Sequence, residues 1–296
     1  MQVLSEYLAY AKMSNLSFTT LKEYNRVLGK FTEMLNLKEK EDFEQLSSSD
    51  VINFIEKLKN SSNTIELKPS TINAYMRYLK SFNNYLIDQE IIDTNFMKNV
   101  PKIKEQKKEV VIYNHKEIDS MRSVVKKEQD KLIFNMMLQC GLRRNEVCEF
   151  KVKDINEETM SIFVLGKGNK YREVPVQKRF LKQLLFFCNI NNRKEGDLLF
   201  QTCHGNQIHP SSLNKKINNW QKKAKVIKTV GGVDRGCHTF RKTCANIWLE
   251  QGMDIRTISK LLGHSDIEVT MRYVKWNRNR AVNTINKISY DDLTID

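Results

Sequence analysis

Four short segments, widely separated along a chain of 296 residues, carry side chains suited to one kind of chemistry. They are CGLRRNEV (140–147), LGKGNKYREVPV (165–176), CHTFRKT (237–243) and LLGHSDIEVTMRYV (261–274). Arg143 and Arg241 each offer a planar, permanently charged fork that matches the oxygens of a phosphate. His238 and His264 can take or give protons near neutral pH, and Lys167 and Tyr273 add a cation and a phenol. Such a set suits phosphoryl transfer, where negative charge must be neutralised and protons moved to and from oxygen.

Taken singly, each segment has an ordinary reading. Arg143 and Glu146, one helical turn apart, could form an exposed i, i+3 ion pair worth roughly 0.2–0.5 kcal/mol. GKGNK is a glycine-rich hairpin turn. His238 and Arg241 would share a helix face, as a satisfied histidine beside a surface arginine also would. The last segment is more distinctive. It predicts a helix stopped by Gly263, a turn holding His264, a next helix capped by Ser265 or Asp266, and Tyr273 on or near that helix.

The elements that must position these residues are mostly helical. In the first hundred residues Ser17 and Thr19 can cap a helix bearing Leu21, Tyr24, Leu28, Phe31 and Leu35 at helical spacing. Ser48 and Ser49 precede Val51, Phe54, Ile55 and Leu58; Pro69 and Ser70 open a helix with Ile72, Tyr75, Leu79, Phe82 and Leu86 on one face. A shorter helix is expected over 4–13. The charged run VPKIKEQKKEV lacks a core pattern and carries a helix-disfavouring Pro101, so it reads as a linker. Helical patterns resume near Asn114. SIFVL and YREVPV are short β-branched strands flanking the GKGNK turn, and helices return from Phe180. The expected domains are a helical unit over 1–100, a linker over 101–112 and a mainly α unit over 113–296 with one small antiparallel β-sheet.

Charge narrows the partner. The net charge is +14, and it is uneven. Residues 1–100 hold 12 Lys and Arg against 13 Asp and Glu, while 101–296 hold 37 against 22. An excess of that size suits a polyanion, because each Lys or Arg near a phosphate releases a counterion; a surface tuned for solubility has the same composition. No apolar run is long enough to span a bilayer and the first residues lack a signal-peptide pattern, so a cytoplasmic protein is expected. The six cysteines form no CxxC pair and read as reduced thiols. Cys203, His204 and His209 could ligate a metal, but no second half-site at zinc spacing accompanies them, and no metal is expected.

Taken together, the four segments resemble the tyrosine recombinase family in residue type, order and spacing. Gly141 to Glu146 matches the first arginine box, GLR-x-x-E; Lys167 matches the lysine of a G-K-G hairpin turn. His238 and Arg241 match H-x-x-R, and Leu261 through Thr270 to Tyr273 matches L-L-G-H-S-D followed by T-x-x-Y. The first domain resembles the family's helical, SAM-like core-binding domain through S-x-x-T-L-K-x-Y (17–24) and P-S-T-I-N-A-Y (69–75). The size is closer to Xer-type and small transposon enzymes, with no arm-binding domain ahead of it.

The resemblance implies a site-specific recombinase acting on double-stranded DNA. Tyr273 would attack a phosphodiester to give a 3′-phosphotyrosyl link and a free 5′-hydroxyl. Arg143, Arg241 and His264 would hold the phosphate, His238 would accept the phenolic proton, and Lys167 would protonate the leaving oxygen, with Lys170 the alternative acid. Glu146 would orient its neighbours. Lys12, Lys22, Arg26, Lys68, Arg77 and Lys80 in the first domain, and Lys170 and Arg172 on the hairpin, are expected against DNA. The scheme needs no cofactor, ATP or metal. Four subunits would assemble on two sites, with a possible monomer in the absence of DNA, and the segment around Val282, Ile285 and Ile288 would dock on a neighbour or fold back on its own subunit. The departures are Lys242, where many relatives have His; Asn95-Phe96 for Asn-Pro; and a long, glycine-rich KTVGGVDRG. A silent DNA-binding protein would lose one reacting residue; a type IB topoisomerase would relax single duplexes rather than exchange partners.

Overall fold

The computed structural model describes residues 2–14, 16–60, 67–105, 109–166 and 170–274. The chain divides into two compact units, Met1–Lys107 and Lys108–Asp296. Among the described residues no helix is long and apolar enough to cross a membrane.

The first unit contains helices α1 (Gln2–Met13), α2 (Phe18–Met34), the single-turn α3 (Glu41–Glu44), α4 (Ser48–Asn60) and α5 (Pro69–Asp88). Ser17 starts α2 by accepting the Thr20 N–H, which satisfies one of the first-turn donors that a helix cannot pair internally. Thr19 lies inside the helix, and Ser48 and Ser49 lie inside the first turn of α4. Pro69 occupies the first turn of α5, where its missing N–H costs nothing. The core is aromatic: Tyr7 packs against Phe82 and Tyr85 at 5.0 and 5.1 Å between ring centroids, and Phe31 meets Phe54 edge-on at 5.2 Å. Buried Asn73 of α5 bonds the backbone of Ile103 in both directions and the Glu105 carboxylate, so part of the stretch expected to be a linker is tied to this unit.

The second unit runs α6 (His115–Val124), α7 (Glu128–Gln139), α8 (Arg144–Glu149), β1 (Ile155–Asn156), β2 (Ser161–Leu165), β3 (Tyr171–Pro175), α9 (Lys178–Ile190), α10 (Pro210–Lys223), β4 (Thr229–Val230), β5 (Val233–Asp234), α11 (Cys237–Glu250), α12 (Ile255–Leu262) and α13 (Ile267–Met271). Helix α7 is buried nearly all round, from Leu132 to Leu138 except Asn135, as befits a central helix. Its Phe134 meets Phe240 of α11 edge-on at 5.0 Å. Strands β1, β2 and β3 form an antiparallel sheet in chain order, with Ser161 opposite Pro175 and Leu165 opposite Tyr171; Ile162, Val164 and Val174 turn into the core.

The fold is thus mainly helical with small antiparallel sheets, and it has one more sheet than the sequence predicts. KTVGGVDRG forms a two-stranded hairpin, β4 paired with β5. Gly231 and Gly232 both have positive φ, 54° and 68°, the geometry of the tight turn that matches strand twist and that glycine adopts without strain. Just beyond it, Arg235 is fixed by Glu117 of α6 and lies over the Tyr113 ring at 5.0 Å. The hairpin therefore carries the chain into α11 at a defined place.

Candidate active site

The site is built on two chain reversals and on helix α11. At the first, α7 ends at Cys140 and Gly141 turns with φ +62°. A Cβ on Gly141 would lie 2.6 Å from Leu262 Cδ2 and 3.3 Å from Cys244 Sγ, so only glycine lets this turn settle onto α11 and α12. The turn delivers Arg143 to the residue just before α8. Glu146, one turn into α8, accepts the Arg143 backbone N–H at 2.6 Å and its Nη1 at 2.7 Å. The Arg143 Nη2 donates to Gly263 O at 3.3 Å. Its side chain stays 39% exposed, free to receive an anion.

Arg241, in the middle of α11, is 0% exposed. Nη1 donates to Gly141 O at 2.7 Å, and Nη2 donates to Leu262 O. Nε has no partner among the described residues. Burial, and then the charge of Arg143, push this guanidinium down to about 10, which still leaves it charged at neutral pH. A buried cation with one donor unused is an electrostatic demand that an anion can meet.

Glu146 has a second, larger commitment. Arg172 of β3 donates Nη1 and Nη2 to its two oxygens at 2.9 and 2.7 Å, and Nε to Leu261 O at 2.8 Å. The two side chains are only 9% and 7% exposed. Arg172, expected against DNA, here has all of its fork bonded inside the protein, tying the hairpin to α8 and α12. Burial pushes the Glu146 carboxyl up, but the hydrogen bonds and charge of Arg172, with those of Arg143, outweigh it and hold the group at about 2. Glu146 is therefore a permanent acceptor that orients arginines, and not an acid or base at neutral pH.

The second reversal sets the phenol. Gly263 ends α12 in the left-handed region (φ +65°), and Asp266, rather than Ser265, caps α13 by accepting the Glu268 N–H. His264 lies between them. Its Nδ1 is 2.7 Å from Thr270 Oγ1, and its Nε2 is buried with no partner among the described residues. Tyr273 follows at 7% exposure, its carbonyl held by Asn246 Nδ2 at 2.7 Å. The rings of His238 and His264 both meet the Tyr273 ring edge-on, at 5.1 and 4.9 Å. If the Thr270 hydroxyl donates to Nδ1, the His264 proton sits on Nε2, ready for a phosphate oxygen.

Burial first, then neighbouring cations, depress both histidines to about 4: Lys242, Arg241 and Arg143 act on His238, and Arg241, Arg143, Arg172 and His238 act on His264. Both are neutral at pH 7, and an imidazole that is to accept a proton must be neutral. The stability consequence has a definite sign. Between about pH 6.5 and pH 4 the unfolded histidines bind protons that the folded ones refuse, so stability falls as pH falls through that window. Glu146 adds to the loss only below its ordinary range. In urea titrations the midpoint should drop between pH 7 and pH 5, and His264→Asn should flatten the drop; an unchanged slope would remove the histidines as its cause.

The structure thus brings Arg143, His238, Arg241, His264 and Tyr273 together around one place. Lys167 lies outside the described residues; Lys170 is exposed, with its carbonyl accepting the Gly166 N–H at 2.8 Å. Lys12, Lys22, Arg26, Lys68, Arg77 and Lys80 are exposed on the first unit. Lys22 and Arg26 share a face of α2, Arg77 and Lys80 a face of α5, and Arg26 is held by Glu23 and Tyr75. Sequence reasoning overlooked other groups. A cleft of about 900 Å³ runs beside Arg143 and His238 and is lined also by Arg144, Asn214, Asn218 and Lys228. The visible signals were Arg144 inside the first box and the i, i+4 asparagines of α10.

Known proteins are similar over both units. A model of the phage integrase family matches residues 100–280, and one of the phage integrase N-terminal SAM-like domain matches residues 4–90. Tyrosine recombinase XerA of Pyrococcus horikoshii is 28% identical over 290 residues, which cover 96% of this chain and 93% of XerA. The Tn1549 transposon integrase in complex with a circular intermediate DNA is similar in structure (TM-score 0.74, 18% identity, 97% of this chain and 98% of that one). So is the XerH site-specific recombinase bound to a palindromic difH substrate (TM-score 0.72, 18% identity, 96% and 83%).

Proposed function

Because the chain belongs to the phage integrase family, we propose that it recombines double-stranded DNA at specific sites by passing a phosphodiester through Tyr273. The observation that carries this reading is the Tyr273 ring set edge-on to two neutral histidines, beside a buried arginine with an unused donor. Arg241, Arg143 and the His264 Nε2 would hold the two non-bridging oxygens, which gain charge as phosphorus becomes five-coordinate. Preorganised donors of this kind are worth about 2.7–4 kcal/mol each. Tyr273 Oη would attack phosphorus while His238 takes its proton. The bond from phosphorus to the 5′-oxygen breaks, and that oxygen receives a proton from Lys167 on the hairpin.

The 3′-phosphotyrosyl link conserves the bond energy, so a 5′-hydroxyl from a second duplex can attack it and release the tyrosine. The reaction is the reverse of cleavage with a new partner, and it requires no external energy. One phenol per copy and four strands to cut make four copies on two duplexes the assembly we propose. Basic residues of the first unit, Lys22, Arg26, Arg77 and Lys80 among them, would add contacts to the phosphate backbone. The protein would work on DNA in the cytoplasm.

The acid step separates this chemistry from its alternatives. Lys167→Ala should slow cleavage of an ordinary duplex about a hundredfold, the lower range for a general acid. A substrate with a 5′-bridging sulfur, whose thiolate leaves without a proton, should restore the rate. Failure of that rescue in Lys167→Ala together with success in Lys170→Ala would move the role to Lys170. Recombinant joints between two labelled duplexes, against mere relaxation of a supercoiled circle, then separate a recombinase from a topoisomerase.

A further inference from the structure

One cation at the site has no place in the scheme above. Lys242 follows His238 by one helical turn on α11, and its Nζ lies 6.0 Å from the centroid of the Tyr273 ring, at the outer reach of a cation–π contact. It is half-buried, and among the described residues no carboxylate pairs with it. Glu146, the buried acid of the site, is committed to Arg172 and Arg143. Burial pushes the Lys242 ammonium down from its ordinary range. An unpaired, partly desolvated cation is costly, and a solvated exit for a lysine is easily found on a helix surface. Its position against a phenol ring is therefore informative.

We propose that Lys242 is a positioning residue of the reaction: its charge stands as counter-charge to Tyr273 when the phenol loses its proton, and it extends to lower pH the range in which His238 can accept that proton. The proposal rests on the reading of Tyr273 as nucleophile and His238 as acceptor. Two observations point the same way. After burial, Lys242 is the largest influence holding His238 down. A weak attraction to a neutral ring also becomes full charge pairing once the ring is anionic, so the interaction is stronger in the transition state than before it, which is what accelerates a reaction. The other charged or titratable groups facing His238 are Arg241 of α11, Arg143 ahead of α8, His264 after α12, and Tyr273 itself.

The test is single-turnover cleavage by the full chain on a nicked duplex carrying its mapped site, at saturating protein, from pH 3.5 to 8, a range that spans the His238 titration at about 4. Lys242→Met should cleave about tenfold more slowly at pH 7, with the acid limb of its profile displaced upward by roughly one unit, because a lost neighbouring charge lets His238 protonate sooner. DNA affinity should be unchanged, and Lys242→Arg should keep the limb in place and most of the rate. An unmoved limb overturns the proposal. So does a uniform loss at every pH in both variants, which marks packing, or weakened DNA affinity with normal cleavage at saturation, which marks a phosphate contact. Should Lys242→Met not unfold cooperatively, Lys242→Gln replaces it under the same criteria. Tyr273→Phe, run beside them, identifies failure of the underlying reading: covalent product from that variant removes the nucleophile, whatever Lys242 does.

Discussion

A Tyr273→Phe variant should fold, bind DNA with about the wild-type affinity, and form no covalent complex. The substitution removes one oxygen. What holds the residue in place is independent of that atom: Asn246 bonds its backbone carbonyl, and the edges of His238 and His264 meet its ring. The ring remains inside the small apolar cluster of Ala245, Ile258 and Leu262, so stability should change by less than about 1 kcal/mol, as for most substitutions that create no cavity. The arginines and His264, which would bind the phosphate, are untouched. Only the proposed nucleophile is gone, and loss of a nucleophile commonly costs on the order of 10⁶-fold. Gel separation of denatured protein–DNA adducts reads the outcome directly. Adducts at the wild-type level would place the nucleophile elsewhere, with Tyr171, exposed on the hairpin, the first hydroxyl to examine.

How much of this was legible in sequence depends on distance along the chain. The last box was the most legible because its parts are local. A glycine stop, a histidine in the turn, an aspartate cap, Thr270 and Tyr273 all fall within 261–274, and each obeys a one-turn rule. The amphipathic helices α2 and α5 were legible from period alone. The Arg172–Glu146 fork was not. Whether an arginine on a strand faces DNA or turns inward depends on where β3 lies against α8 and α12, and nothing near Arg172 in sequence records that. The burial of Arg241 was hidden for the same reason, since Gly141 O and Leu262 O lie 100 and 21 residues away in sequence. Strands β4 and β5, two residues each, are too short to show alternation, although Gly231-Gly232 between valines was a turn signal. Surface lysines in the first unit have no periodic mark at all, so a DNA-facing set and ordinary scatter look alike.

The fork supplies the second large effect. Glu146→Ala should lower unfolding stability by about 3–5 kcal/mol, the cost of leaving one member of a buried ion pair without the other. Arg172 would keep its charge at 9% exposure with only Leu261 O to receive it, and Arg143 would lose the acceptor of its backbone N–H and of its Nη1, keeping Gly263 O. Arg172→Met should cost less, because Glu146 would retain Arg143, which is solvated enough to adjust. If the pair acts as one unit, Glu146→Gln with Arg172→Met should lose less than the two single losses added, and a denaturant double-mutant cycle measures that coupling. DNA binding supplies the complementary test. A phosphate-contacting arginine contributes to the salt dependence of affinity, whereas a strut does not. The slope of log affinity against log salt should therefore be the same in Arg172→Met as in the parent and shallower in Arg143→Met. A shallower slope in Arg172→Met would mean that its fork opens to the backbone when DNA arrives, and that Glu146 releases it.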